Sequence, residues 1–266
     1  MGFMNRYAIV TGAASGMGRC YALQLAQMGY GVLLIDINGE AAQELSLQIS
    51  QQYNVPALVM CIDLTQQDAA EQILDKCQQD GYKVEVLINN AGILVTSLIE
   101  DTDPQKLHRI INLHCVTPLL LCRYFVPIMK EQGRGYILNI SSISAWMDWP
   151  VIGMYGSTKR FVKGYSRQLR IECKGTPVSV TTAFFGAVDT PLIRFPLLMR
   201  YRKMLLRLGC MLSPEKAARL ALKAMFRRKA TLYPCLSDRI VVMLCSVLPD
   251  WLLSLIIRKI DLKSAF

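Results

Sequence analysis

The 266-residue sequence is poor in the features that would assign it quickly. It has nine cysteines but no Cys-x-x-Cys pair, and its two histidines, His108 and His114, complete no metal-ligand spacing. An odd set of cysteines without those spacings implies a reducing compartment and no bound metal. The N-terminus lacks the basic, apolar and small-residue layout of a leader peptide, so export is not expected and a cytoplasmic protein is. There is no repeat, low-complexity stretch or linker, and a single domain over 1–266 is the economical expectation. A long uninterrupted apolar run is also missing. The best candidate, residues 240–257, is broken by Pro249-Asp250, where a proline removes a helix bond and a carboxylate is costly in hydrocarbon. An apolar helical extension over 237–260, in two short pieces, is expected there instead of a membrane span.

What is present is a greasy globular composition, with 52% hydrophobic and 19% charged residues and a mean hydropathy of +0.28, which excludes collagenous and disordered chains. The net charge of +10 is unevenly distributed. Residues 1–150 hold 9 Lys/Arg against 14 Asp/Glu, whereas residues 151–266 hold 21 against 6. The basic residues of the second half alternate with aliphatic ones more than with stacking aromatics, and no recognition motif accompanies them. Nucleic acid is therefore not the expected partner, and peripheral contact with a membrane surface is the alternative that the charge suits.

Strand-like runs at 7–11, 32–35, 57–62, 84–88, 136–140 and 178–183 alternate with helical patterns at 16–28, 39–51, 66–79, 104–130 and 154–173. This alternation predicts an α/β fold, a doubly wound parallel sheet with helices on both faces. Asp103-Pro104 and Ser213-Pro214 each place a capping side chain before a proline at the first helical position, and Thr65 with Asp68 has capping-box spacing. After residue 183 the pattern weakens to a loop and helix over 190–208, a capped helix over 214–229, a short strand near 231–233 and the apolar C-terminal segments.

The first strand runs into Thr11-Gly-Ala-Ala-Ser-Gly-Met-Gly18 at the start of a helix. Glycines there permit a tight turn and close approach of backbone to a pyrophosphate, and free N–H groups at the helix start attract anions. The second strand ends in Asp36, 18 residues beyond the last glycine, a spacing suited to a carboxylate that accepts from an adenosine ribose. Four more motifs follow in order: Asn89-Asn-Ala-Gly92 after the fourth strand, Asn112 in the long helix, Ser142 after the fifth strand, and Tyr155-Gly-Ser-Thr-Lys159 beginning 13 residues later.

Over residues 5–190 this succession resembles the classical short-chain dehydrogenase/reductase family. The resemblance implies a Rossmann-type domain and an oxidoreductase that uses NAD(H) in preference to NADP(H), Asp36 repelling a 2′-phosphate. It implies catalytic Ser142, Tyr155 and Lys159, with Asn112 positioning a water; as a residue type Asn112 is also readable as a helix-bending amide. It implies cofactor contacts from Thr11, Gly12, Ser15, Gly16, Met17, Gly18, Asp36, Asp63, Leu64, Asn90, Ala91, Gly92, Tyr155, Lys159, Gly186, Val188 and Thr190. In one place the chain departs from the family: Phe185-Gly186 stands where Pro-Gly is usual.

Tyr155 and Lys159, four residues apart, share a helix face, so the ammonium is expected to lower the phenol's pKa toward neutrality. His108 and His114 match no catalytic position and read as surface or satisfied helix residues. Trp146 and Trp149 read equally as pocket wall or core. The resemblance implies a substrate lid over 190–212; that stretch is rich in Leu, Met, Phe and Arg, which favours a lipophilic substrate, and the greasy, basic C-terminal half is similar to family members acting on steroid, long-chain acyl or sphingoid-base compounds. The expected assembly is a homodimer or homotetramer. The alternative function is a non-catalytic dinucleotide-binding protein on membrane surfaces, which would have no chemical need of Ser142, Tyr155 and Lys159 together.

Overall fold

Apolar runs too continuous for a half-exposed sheet become the strands of a parallel sheet buried on both faces. The computed structural model describes residues 5–147, 152–192 and 196–245, with Pro249 and Leu252. Trp149, residues 193–195 of the expected lid, and most of the apolar extension beyond residue 245 lie outside the described residues.

In chain order the elements are β1 (Tyr7–Thr11), α1 (Gly16–Gln27), β2 (Gly31–Asp36), α2 (Gly39–Tyr53), β3 (Ala57–Cys61), α3 (Ala69–Gln79) and β4 (Val84–Asn89). There follow α4 (Pro104–Ile111), α5 (Thr117–Glu131), β5 (Gly135–Ser142), α6 (Gly153–Glu172) and β6 (Val178–Phe185). The sheet runs β3-β2-β1-β4-β5-β6-β9 and is parallel throughout, with β9 (Thr231–Leu232) added at the far edge. The chain winds outward from β1 to β3, then returns to the centre and winds the other way from β4. The carboxyl ends of β1 and β4 therefore flank the reversal of strand order, where doubly wound sheets open a crevice.

Alternate residues on each strand feed two cores. Ala8, Val10, Leu34, Ile88 and Leu138 pack under Tyr21 and Leu25 of α1, Ile49 of α2 and Leu222 of α9 (Pro214–Phe226). Ile9, Leu33, Leu87 and Ile137 pack under Ile73 of α3 and Phe125 of α5. Both faces are covered, which is why β1, β2 and β3 are continuous apolar runs without polar alternation.

The helix expected over 104–130 forms but is not regular. Asp103 caps it by accepting from Gln105 N–H at 2.8 Å, and residues Asn112–Val116 then widen into a π-helical turn before α5 resumes. Pro118 supplies the cause. It has no N–H for the carbonyl of residue 114, and its ring crowds that carbonyl, so the helix relaxes to the wider turn. Among the described helices, 104–131 is the one long and apolar enough to cross a membrane by length and composition; its place under the sheet identifies it as a core helix.

The capping box read at Thr65 and Asp68 is not formed. α3 begins at Ala69, Asp68 makes no capping bond, and the Thr65 hydroxyl donates to Asp63 Oδ1 at 2.8 Å. Near the sheet's carboxyl edge the chain adds a small parallel pair that the pattern did not suggest, β7 (Ala187–Val188) with β8 (Met211–Leu212), and between them α7 (Pro196–Arg200) and α8 (Arg202–Leu208). The last described helix is α10 (Leu236–Cys245), which starts four residues before the apolar segment.

Candidate active site

At the β1/β4 crevice the chain builds a hub around one hydroxyl. Thr11 Oγ1 donates to Ile88 O at 3.2 Å and accepts from the N–H groups of Asn90 (2.9 Å) and Ala91 (3.0 Å), while Asn90 Nδ2 donates to Thr11 O at 2.9 Å. Asn89 braces the next strand, donating to Asn139 Oδ1 at 2.8 Å, and Asn139 Nδ2 in turn donates to Ser166 of α6. The glycine turn packs against this hub. A Cβ on Gly18 would run into the Gly12 carbonyl oxygen, so only glycine lets α1 start this close to β1. The Asp36 carboxylate closes the far side, Oδ2 accepting from Ala14 N–H at 2.8 Å and Oδ1 from Asn38 N–H at 2.9 Å. Each oxygen keeps a lone pair for a further donor.

These residues line a cleft of about 250 Å³, to which Gly12, Ser15, Gly16, Met17, Asp36, Asp63, Leu64, Asn90, Ala91, Gly92 and Thr190 all contribute. Ile37 lines it as well, and so do Ile62, Thr65 and Arg109, to which the motifs had not pointed. Asp63 is lower in pKa than an ordinary aspartate. Burial acts to raise it, but the Thr65 N–H (2.9 Å) and hydroxyl, with Arg109 nearby, outweigh that. Thr11 and Gly18 line no cleft; they shape it from behind.

A second cleft of about 230 Å³ adjoins the first, sharing Met17, Asn90, Gly92, Thr190 and Leu192. Ser142, Tyr155, Lys159, Gly186 and Val188 meet here. Ser142 ends β5, and its Oγ accepts from Ser144 N–H at 3.1 Å, which leaves its own proton free to donate. Tyr155 and Lys159 come from successive turns of α6. The Lys159 ammonium donates to Ile140 O at 3.1 Å and lies 5.5 Å from the Tyr155 ring centre.

Burial pushes the Tyr155 phenol up to about 12 against a weaker pull from its hydrogen bond with Ser142, and pushes Lys159 down to about 8 against the opposing influence of Cys115. The sequence spacing predicts a phenol lowered by its lysine. Desolvation wins because Lys159 is buried and Tyr155 largely surrounded by protein, and the ammonium is bonded to backbone. The remaining walls are mainly apolar, with Leu94, Ile143, Met147, Ile152 and Phe185 beside Ser141 and Ser144, and Lys159 is the one charged residue among the lining.

Asn112 is placed elsewhere. Its Nδ2 donates to Thr65 O at 3.0 Å and it lines neither cleft. The residue of that helix beside Tyr155 is His114, with ring centres 5.6 Å apart. The π-turn changes which side chains face inward, and no periodicity in the sequence announces it. Trp146 lines neither cleft; it packs on Phe184, with Lys163 Nζ 3.1 Å over its ring. His108 is exposed on α4, as expected. Asp238 of α10 is a second residue that the sequence gave no reason to notice. It is buried beneath Gly186, whose N–H donates to Oδ2 at 3.4 Å, and a Cβ on residue 186 would strike this carboxylate.

Comparison with known proteins agrees with this architecture. The chain is 31% identical over 201 residues to a very-long-chain 3-oxoacyl-CoA reductase of Danio rerio, covering 73% of this chain and 62% of that protein. It is 30% identical to the 17-beta-hydroxysteroid dehydrogenase type 3 of Danio rerio, covering 72% and 66%. The matches thus span under two thirds of those relatives' length. Among solved structures, a 3-ketoacyl-(acyl-carrier-protein) reductase of Brucella melitensis complexed with NADH superposes with a TM-score of 0.74 at 26% identity, covering 84% of this chain and 92% of the other. The sequence model for short chain dehydrogenase matches residues 6–195, and with the parallel sheet, the glycine turn and the Ser142, Tyr155 and Lys159 cluster in place, the chain belongs to the short-chain dehydrogenase family.

Proposed function

We propose that this protein interconverts a secondary alcohol and a ketone on a lipophilic substrate, using a nicotinamide dinucleotide, with NAD(H) preferred over NADP(H). The observation that carries the reading is the junction of the two clefts. A glycine turn closed by a backbone-held carboxylate meets a mainly apolar chamber in which the Ser142 hydroxyl, the Tyr155 phenol and the Lys159 ammonium come together. The residues fit the dinucleotide: the crowded Gly12/Gly18 turn leaves no side chain over the helix start, and Asp36 has lone pairs free for ribose hydroxyls. Bound there, the reduced or oxidised nicotinamide would supply or take the hydride, and Asp36, Asn90, Lys159 and Thr190 would hold it.

The chain's own part is proton chemistry. In the reductive direction Ser142 Oγ–H and the Tyr155 phenol both donate to the carbonyl oxygen. As the carbon receives hydride, the oxygen takes the Tyr155 proton, leaving an alcohol and a phenolate beside Lys159. A phenol near 12 holds its proton firmly at neutral pH, the state required of an acid. Lys159 keeps two N–H groups beyond its bond to Ile140 O, and its ammonium stabilises the phenolate until solvent restores the proton. Oxidation runs the same steps backwards.

The apolar lining supports a steroid, long-chain acyl or sphingoid-base substrate over a sugar, and the two Danio rerio relatives are named for oxoacyl-CoA and hydroxysteroid compounds. We further infer a homo-oligomer, supported by the exposed apolar residues Ile111, Val116, Leu119 and Phe161 on α4 to α6, and peripheral contact with the cytoplasmic face of a membrane.

The test is NADH oxidation and NAD reduction against a panel of ketones and alcohols of those classes, with Tyr155→Phe beside the wild type. Turnover of an apolar member, lost by about 100-fold or more in Tyr155→Phe while NADH still binds, is the expected result. Near-normal turnover by the variant would place the proton on another group and end this reading.

A further inference from the structure

We propose that His114 is a positioning residue of this reaction: a neutral imidazole, protonated on Nδ1, that ties the loop between the two clefts to the helix carrying Tyr155. The inference rests on the site assignment above. His114 is 1% exposed, and both ring nitrogens are engaged. Nε2 lies 3.0 Å from the N–H of Ile93, the residue after the Asn89-Asn-Ala-Gly92 motif. A backbone N–H can only donate, so Nε2 is the acceptor and the ring proton resides on Nδ1. Nδ1 stands 2.9 Å from Thr158 Oγ1, and that hydroxyl donates to the Tyr155 carbonyl at 2.8 Å. The chain of bonds runs from Ile93 through the imidazole and Thr158 to the backbone of Tyr155.

The ring also meets the Tyr155 ring edge-on. Gly92 must lack a side chain to admit it, since a Cβ there would lie 2.9 Å from Nε2. Burial holds the imidazole well below its ordinary pKa, with the Lys159 charge acting the same way, so one tautomer persists through the neutral range. His114 reaches neither cleft, and it acts through the groups it holds. Its two ends serve different quantities: the Ile93 end fixes a loop that lines the dinucleotide cleft, and the Thr158 end fixes the helix turn that aims the phenol.

Three variants separate those ends. His114→Leu removes both bonds, His114→Gln places an amide near Nε2, and His114→Asn places one near Nδ1. NADH affinity is read by fluorescence titration and kcat with the ketone that the wild type turns over fastest. His114→Leu should weaken NADH binding by about 5-fold and lower kcat by about 10-fold, His114→Gln should recover NADH affinity without kcat, and His114→Asn should recover kcat without affinity. The tautomer has a direct readout that needs no ligand. The chain holds two histidines, so ring ¹⁵N shifts of the wild type and of His108→Gln isolate His114, and they should show a neutral ring protonated on Nδ1 at pH 7.

A ring protonated on Nε2 would overturn the proposal. So would equal losses across all three variants, tracking their melting temperatures, because a merely structural residue gives no split between affinity and kcat. Should His114→Leu not fold, the Gln/Asn contrast and the ¹⁵N shifts still decide. The site assignment fails separately, through an active Tyr155→Phe, while the tautomer and NADH titrations continue to report on the brace.

Discussion

The carboxyl edge of the sheet between β1 and β5 and the segment from residue 186 onward line the same clefts by opposite means. On the first side, polar atoms are held in bonded networks: Thr11 Oγ1 joins three backbone groups, Asp36 is held by two N–H groups, and Asn89, Asn139 and Ser166 form a buried chain. On the second, α8 has no buried residue, Met204 and Leu208 face outward, and the main polar tie is the ion pair of Arg202 with Asp189 at 2.5 Å. An ion pair with a solvent-exposed guanidinium adds little stability. The contrast teaches how each side is held. The first cleft is framed by backbone geometry and bonded side chains, whereas α8, between the strands β7 and β8, is tied by few polar bonds.

The largest expected effect tests the rigid side. Gly18→Ala drives a Cβ into the Gly12 carbonyl, so the turn must move, and NADH affinity measured by fluorescence should fall about 10-fold or more; overpacking of this kind costs ~1–3 kcal/mol. A truncation on the other side, Leu208→Ala, should leave NADH affinity unchanged, since that side chain is exposed and lines neither cleft. Similar losses in both would erase the distinction.

Next is Asp36→Ala, which removes like-charge repulsion toward a 2′-phosphate along with the ribose acceptor. The ratio of kcat/KM for NADH over NADPH should fall by about 10-fold. A wild-type ratio near one would already contradict the preference for NAD(H).

The pH profile sharpens the comparison at the junction of the two regions. Lys159 is lowered to about 8, so its ammonium is intact below that pH and lost above it, while Tyr155 near 12 stays protonated throughout. kcat/KM for ketone reduction should therefore be level from pH 6 to 7.5 and decline above about 8, since this parameter reports groups of the free enzyme. In Lys159→Arg, whose guanidinium does not titrate in this range, the decline should vanish even if the rate is low. A profile level to pH 10 in the wild type would remove Lys159 from the role.

The smallest effect concerns the outer surface of the second side. Leu236, Ile240, Met243 and Leu244 are exposed on α10, and Arg200, Lys203 and Arg207 are exposed on α7 and α8. If this side rests on anionic lipid, flotation with vesicles should rise with anionic lipid content and fall with salt. Lys203→Glu with Arg207→Glu should weaken it several-fold, at ~1 kcal/mol per charge. Equal recovery with neutral and anionic vesicles at low salt would leave these residues to a subunit contact.

The sequence by itself determined the main sheet, its order of elements, most of the lining of the first cleft and about half of that of the second. Those depend on local rules: aliphatic runs give buried parallel strands, a glycine turn gives a helix start near a phosphate, and a capping Asp103 or Ser213 gives a helix end at a definite residue. Tertiary structure alone decided three matters. Pro118 loosens the helix locally, but that the π-turn at residues 112–116 sets Asn112 against Thr65 and His114 beside Tyr155 depends on the elements packed around it, which hydrophobic periodicity does not encode. Burial reversed the pKa expected for Tyr155, because desolvation depends on everything packed around a group and the four-residue spacing reports only one neighbour. Asp238 found its place under Gly186 across 52 residues of chain, a contact that exists only after β6 and α10 have been assembled, since no local signal in a sequence specifies which distant backbone N–H a carboxylate will meet.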